Sequence, residues 1–424
     1  MTNAVEWGVP RRIAFRFAVI FAGLLMFPFP IYVIPKSDDL STALSKPLEW
    51  ATQWFATSVL GLPRLAAETT GSGDRMFDYV QLLLFALCAA IGTMVWSIID
   101  RRRRSYTKLA ALAWVVLRYF LAWTMLRYGE LKVIKSQFPD LSPSTLHQRL
   151  SEIPPMRLVW SFIGYSVPYT VFAGLSEMIG GVLLLWRRTA TLGALLVIPV
   201  MTNVVMLNFC YDVPVKLFST ELLVMAVVIA WPQLRRLIGA VLGRAAVEVP
   251  PRPRMSRARE RARLSVKLAL LAVMAANLAL DVASQRNHAD HVHELYGLWT
   301  VDRFVSDGVE PAKLVDDPVR WESWSASTSY ARIWLLDGLP EGRAEPSLGW
   351  YALKVDPVAH TITLTPEAPG AGKEVWSYTR PAPDRLVIDC VHRGKRLHVT
   401  LHLAPEGRLL SRGFHWVNEE PFNL

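Results

Sequence analysis

The chain has 424 residues, 52% of them hydrophobic and only 19% charged, with a formal net charge of +10. So apolar a composition is unusual for a soluble chain of this size, and three cysteines are too few for a disulfide framework. The positive charge sits beside apolar runs, where topology and anionic headgroups account for it, so nucleic acid is not the expected partner.

Seven apolar stretches approach the roughly 20 residues that a helix needs to cross a bilayer. They are 12–34, 76–99, 107–130, 166–186, 189–209, 214–234 and 265–285. Every second gap is rich in Arg: Arg11/Arg12/Arg16, Arg101 to Arg104, Arg187/Arg188, and Arg235/Arg236 with a long basic stretch behind them. Lys and Arg stay on the cytoplasmic side, which puts the N-terminus inside and everything after residue 286 outside. The first run is too long for a signal peptide, and Pro28-Phe29-Pro30 offers no small-residue cleavage site. The expectation is an integral membrane protein with an exported C-terminal domain.

Between spans one and two, Leu48 to Leu60 carries apolar residues at mixed three- and four-residue spacing, with Trp50 and Trp54. Two readings stand: a helix lying at headgroup depth, or a loop helix packed on the bundle. The outer loop 131–164 holds Pro139, Pro143, Pro154 and Pro155, too many for one continuous helix. Residues 237–264 form a Pro- and Arg-rich linker suited to lie along anionic lipids. Beyond span seven the period changes to two. Residues 350–355, 361–364, 386–390 and 397–403 alternate apolar and polar, and His392-Arg393-Gly394-Lys395 reads as a hairpin turn. Eight or nine such strands in about 130 residues predict an all-β antiparallel barrel or sandwich.

Ionisable side chains inside spans are costly and mark functional positions. Arg118 and Glu177 each lie about eleven residues into their spans, near mid-bilayer, and are expected to pair. Arg127, Glu130 and Lys132 stand at the outer end of span three. Asn203, Asn208, Tyr211, Asp212, Lys216 and Glu221 cluster around the turn from span five to span six. Together they predict a polar cavity opening outward and tapering to the Arg118–Glu177 pair, with bundle-holding hydrogen bonds of about 1 kcal/mol each as the alternative. Gly174, Ser176, Gly180 and Gly181 suit close helix packing in span four. His288, His291 and His293 match no standard metal spacing, so no metal site is assigned; His398 and His402 share a solvated strand face. Cys88, Cys210 and Cys390 read as small packing residues.

Tyr128-Gly129-Glu130-Leu131-Lys132, the Gly-x-x-Glu-x-x-Gly-Gly element within Phe172 to Gly181, Arg187-Arg188-Thr189, and Asn208 through Lys216 resemble motifs of the DoxX family of bacterial membrane proteins. The resemblance covers about 110 to 130 residues. It implies a four-helix membrane bundle and a link to quinones or membrane redox chemistry. Gly297-Leu298-Trp299 is similar to the opening of lipocalin-type barrels, which implies that Arg412 packs over Trp299 and that the barrel encloses an apolar ligand or is filled.

The organisation expected is an N-terminal hairpin (1–105), a DoxX-like core (106–236), the basic linker (237–264), a seventh span (265–287) and an exported β domain (288–424). The first functional reading is a quinone- or lipid-binding component of membrane redox chemistry. No haem, flavin, iron–sulfur or nucleotide motif is present, so electrons would come from a partner protein. The second reading is a non-catalytic anchor whose outer domain binds an apolar ligand or a periplasmic partner. Proton-coupled transport is a third, unsupported by any inverted repeat.

Overall fold

Each of the seven apolar runs folds as a helix, because in lipid a backbone must satisfy its own polar groups. The protein is described by a computed structural model over residues 6–66, 73–243, 257–289, 292–312, 320–335, 350–367, 372–413, 415 and 417. It divides into two compact units, Met1–Pro139 with Pro155–Gln285, and Asp140–Pro154 with Arg286–Leu424. Among the described residues seven helices are long and apolar enough to cross a membrane, and we take the chain to be a membrane protein.

In the first unit, α1 (Val9–Met26) packs on α3 (Met76–Ile99). The N-terminal half of α1 and the C-terminal end of α3 are clasped by Arg16, which the sequence shows only as part of a basic cluster. Its guanidinium is buried and donates to Tyr106 Oη (2.9 Å), Ser97 Oγ (2.6 Å) and the Asp100 carbonyl (3.1 Å). Between these helices, α2 (Asp38–Trp54) continues into a single π-turn, Phe55–Val59. Phe55 and Ala56 pack on Val80 of α3, while Trp50 and Trp54 point outward. The segment thus packs on the bundle, as the second of the two sequence readings has it.

The remaining spans are α4 (Thr107–Val133), α7 (Val167–Leu184), α8 (Ala190–Cys210), α9 (Lys216–Val241) and α10 (Arg257–Ala289). The first four close a ring, α4 on α7, α7 on α8, α8 on α9 and α9 back on α4. Apolar surface gives little drive for helices to associate in lipid, so backbone proximity decides their packing. A Cβ added at Gly129 would stand 2.5 Å from the Gly174 carbonyl oxygen, and one at Gly181 2.9 Å from that of Ala122. On the other flank Gly193 sits against the Gly180 carbonyl. The proline-rich loop breaks as expected into α5 (Pro143–His147), a 3-10 turn at Leu150–Glu152 and α6 (Pro155–Tyr165). Cys88 and Cys210 are exposed on the helices, so only Cys390 is the buried packing residue expected of all three. Most of the basic linker, 244–256, lies outside the described residues.

The second unit is a closed antiparallel barrel in which each strand pairs with the next and β8 closes on β1. Its strands are β1 (Gly297–Ser306), β2 (Trp321–Ala326), β3 (Tyr330–Leu335), β4 (Tyr351–Asp356), β5 (Thr361–Pro366), β6 (Glu374–Ala382), β7 (Arg385–His392) and β8 (Lys395–Leu403). Alternation is clean on β7, where Leu386, Ile388, Cys390 and His392 are buried. A register shift between Val301 and Arg303 lets Trp299 and Phe304 of β1 both face inward. The β7–β8 turn has positive φ at Arg393 (49°) and Gly394 (80°), the two-residue turn that suits strand twist. The interior is filled by side chains, with Trp299, Trp321, Trp324 and Trp376 all buried. On β3, four consecutive residues, Ala331 to Trp334, are buried, because this unit also contains residues 140–154. There α5 packs on β1 and β2, and the His147 ring lies edge-on to Trp334 at 4.8 Å. The sequence pattern places that segment in a loop of the helical core, whereas it belongs to the barrel unit.

Candidate ligand cavity in the helical bundle

A cavity of about 350 Å³ opens among α4, α6, α7, α8 and α9. Its wall is mainly apolar, including Met125, Ile163, Val204 and Leu222, with Lys132, Glu177, Asn203, Asn208 and Ser219 as the polar contributions that matter below. This is the usual make-up of a small-molecule site: a greasy wall with a few convergent polar groups.

Glu177 and Lys132 form its electrostatic centre. Lys132 Nζ lies 2.8 Å from Glu177 Oε2, and both side chains are almost wholly buried. The mate expected for Glu177 was Arg118, and the helix geometry explains the correction. Gly129 faces Gly174 and Ala122 faces Gly181, so α4 and α7 run antiparallel with Glu177 level with about Leu126. Arg118 is about eight residues, or about 12 Å, beyond that level. Side chains on a helix lean toward its N-terminus. On antiparallel helices Lys132 and Glu177 therefore lean toward each other, while Arg118 leans away. The buried Arg118 guanidinium instead lies over the rings of Trp114 (5.0 Å) and Tyr119 (5.1 Å). The Lys132 ammonium also faces the rings of Tyr128 (5.7 Å) and Phe138 (6.0 Å) and donates to the Tyr128 carbonyl (3.5 Å).

The other expected residues divide among three places. Asn203 and Asn208 line the cavity. Asn208 Nδ2 donates to Ser219 Oγ (2.9 Å) and the Val215 carbonyl (3.4 Å), tying α8 to α9. Arg127 and Glu130 pair with one another along α4 at 3.2 Å, away from the cavity wall. Tyr211 and Asp212 lie at the α8–α9 turn, where Lys216 Nζ meets Asp212 at 2.7 Å. Lys216 and Glu221 face a second, separate groove. Sequence reasoning missed Asp74, whose carboxylate accepts the backbone N–H groups of Lys216 (2.6 Å) and Leu217 (2.9 Å) and so caps α9 from another loop. It also missed Phe138, Trp160 and Tyr169, which supply aromatic wall. Nothing local in the sequence marks a cap given by a distant loop or a ring contributed by a proline-rich connection.

Polar groups of the barrel are arranged differently. His392, buried inside, bonds through Nδ1 to Glu374 Oε2 (2.8 Å), which also accepts from Trp376 Nε1 (2.9 Å). Burial alone would raise the Glu374 carboxyl, but the bonds from His392 and Trp376 outweigh it and hold it below its ordinary value. Burial pushes the Cys390 thiol well up. The Arg380 guanidinium lies over the Trp299 ring at 5.9 Å, the place that the lipocalin resemblance gives to Arg412. His398 and His402 face outward beside Asp389 (2.6 Å) and Asp302 (2.7 Å), as their spacing predicts. His293 bonds to the Ser327 carbonyl (2.8 Å). His291 lies outside the described residues.

Among curated proteins, an uncharacterised protein of Bacillus subtilis (strain 168), YwoB, is 37% identical to this chain over 122 residues, which cover 29% of this chain and 77% of that protein. No family model matches the chain, and no solved structure does.

Proposed function

The chain belongs to the family of the uncharacterised Bacillus subtilis protein YwoB, and we propose that its helical ring is a DoxX-like core that binds a lipid-soluble, quinone-type molecule. The supporting observation is the buried Lys132–Glu177 pair at the wall of an otherwise apolar cavity. Desolvating two charges is costly, and placing them beside open volume is useful when a ligand presents carbonyl oxygens there. The Lys132 ammonium donates to such an oxygen, the Glu177 carboxylate accepts a proton from a reduced head, and the aromatic wall holds the ring and tail. Electrons reach the bound molecule from a partner protein on the outer side. The barrel, being filled by its own tryptophans, acts in contact with other proteins rather than as the ligand container.

The protein resides in the bacterial inner membrane on this reading, with the N-terminus inside and the barrel outside. The arginine clusters beside the inner ends support that placement, and seven crossings carry the two termini to opposite sides. The basic linker lies along anionic lipids of the inner leaflet.

Extraction of the full chain purified in mild detergent, followed by chromatography with ultraviolet detection, tests the reading. A quinone is expected to copurify and to be lost from Glu177→Gln and Lys132→Met. A preparation without quinone, or both variants retaining it, would refute the assignment.

A further inference from the structure

A larger groove of about 860 Å³ lies on the opposite flank of the ring, bounded by α1, α3, α4 and α9. Phe17, Phe21, Leu117, Met225 and Val228 are among its apolar lining, and two charged residues, Lys216 and Glu221, break it. From Lys216 to Val228 the groove follows α9 for 12 residues, about 18 Å, close to the ~15 Å of one hydrocarbon leaflet. Lys216 is already engaged by Asp212 (2.7 Å) and Asp74 (3.9 Å). Glu221 differs. It is half-buried, about 7.5 Å further along α9 than Lys216, and among the described residues no hydrogen bond or ion pair reaches its carboxyl. A carboxyl turned into an apolar groove calls for a hydrogen-bond donor.

We infer that this groove is a second binding site, occupied by a neutral long-chain lipid whose hydroxyl head donates to Glu221, of the diacylglycerol type. The charge balance selects the head. Two aspartates, Asp212 and Asp74, already outweigh Lys216 beside the groove, so an anionic phosphate head is repelled. An ammonium head would have to give up its hydration well below the level of Lys216, where a hydroxyl gives up far less. The groove depends neither on the Lys132–Glu177 cavity nor on any redox role for it.

The test uses the full chain in phosphatidylcholine vesicles carrying a photoactivatable diacylglycerol, phosphatidylethanolamine or phosphatidylglycerol, with labelled peptides read by mass spectrometry. The diacylglycerol probe should label α1 and α9 peptides at least about tenfold more than the other two. Glu221→Leu should cut that labelling about tenfold, the loss of one hydrogen bond to a carboxyl. Glu221→Gln keeps an acceptor and should retain most of it, which separates loss of the bond from loss of the fold. A Cβ added at Gly23 meets nothing within 4 Å, so Gly23→Trp should fill the groove and abolish labelling. Equal labelling by the three lipids, preference for the ethanolamine probe, or no effect of Glu221→Leu would overturn the assignment.

Discussion

Lys132 and Glu177 show how strongly one side chain's direction governs a membrane site. Either charge alone in this position would be buried without compensation, which costs about 3–5 kcal/mol, whereas replacing both by apolar groups is often close to neutral. Lys132→Met and Glu177→Leu should each lower the thermal midpoint in detergent, and the double variant should recover most of the loss. Glu374 offers a second test, in the barrel. Its folded carboxyl titrates below the ordinary value of 4.5, so its contribution to stability is complete above about pH 4.5 and is lost as the pH falls through the folded value. Melting of the barrel between about pH 5 and 3 should be less pH-dependent in Glu374→Gln, which cannot titrate.

At the scale of helices and strands, the glycine seam between α4 and α7 is the tightest junction. The atom facing Gly129 is backbone, the Gly174 carbonyl oxygen, and backbone cannot rotate aside. Gly129→Val should therefore cost about 3 kcal/mol, the upper end for overpacking, and lower the thermal midpoint. Gly23→Ala, with open space around it in the interior of α1, should not lower the midpoint. The seven spans were legible because lipid demands long uninterrupted apolar runs: 76–99 and 107–130 match α3 and α4 to within three residues. The later strands were legible through their two-residue period, and the Arg393-Gly394 turn through its composition. The Arg118–Glu177 pairing failed because counting residues into a span gives depth but not the direction in which a side chain leans. Asp74 and the barrel-side role of residues 140–154 were hidden because their partners are distant in sequence and leave no periodic trace.

For the molecule as a whole, His147 makes the attachment of residues 140–154 to the barrel sensitive to acid. It bonds with Ser323 Oγ at 3.2 Å and meets Trp334 edge-on. Burial, and then the neighbouring Arg149, hold its pKa below the ordinary 6.5. The folded state thus favours the neutral ring, so this contribution is complete above about pH 6.5 and declines as the pH falls through the folded value. Protection against hydrogen exchange at 144–147, corrected for the intrinsic pH dependence of the exchange rate, should fall between about pH 7 and 5, and His147→Phe should flatten that fall while keeping the ring contact.

Residues 140–154 leave the end of α4, rest on β1 and β2, and return to α6. The barrel is therefore moored twice, once by its own leader from α10 and once by a strap from the middle of the chain. A protease that nicks only the leader would produce two fragments that still copurify, and strap and barrel must share one aqueous compartment whichever way the protein is inserted.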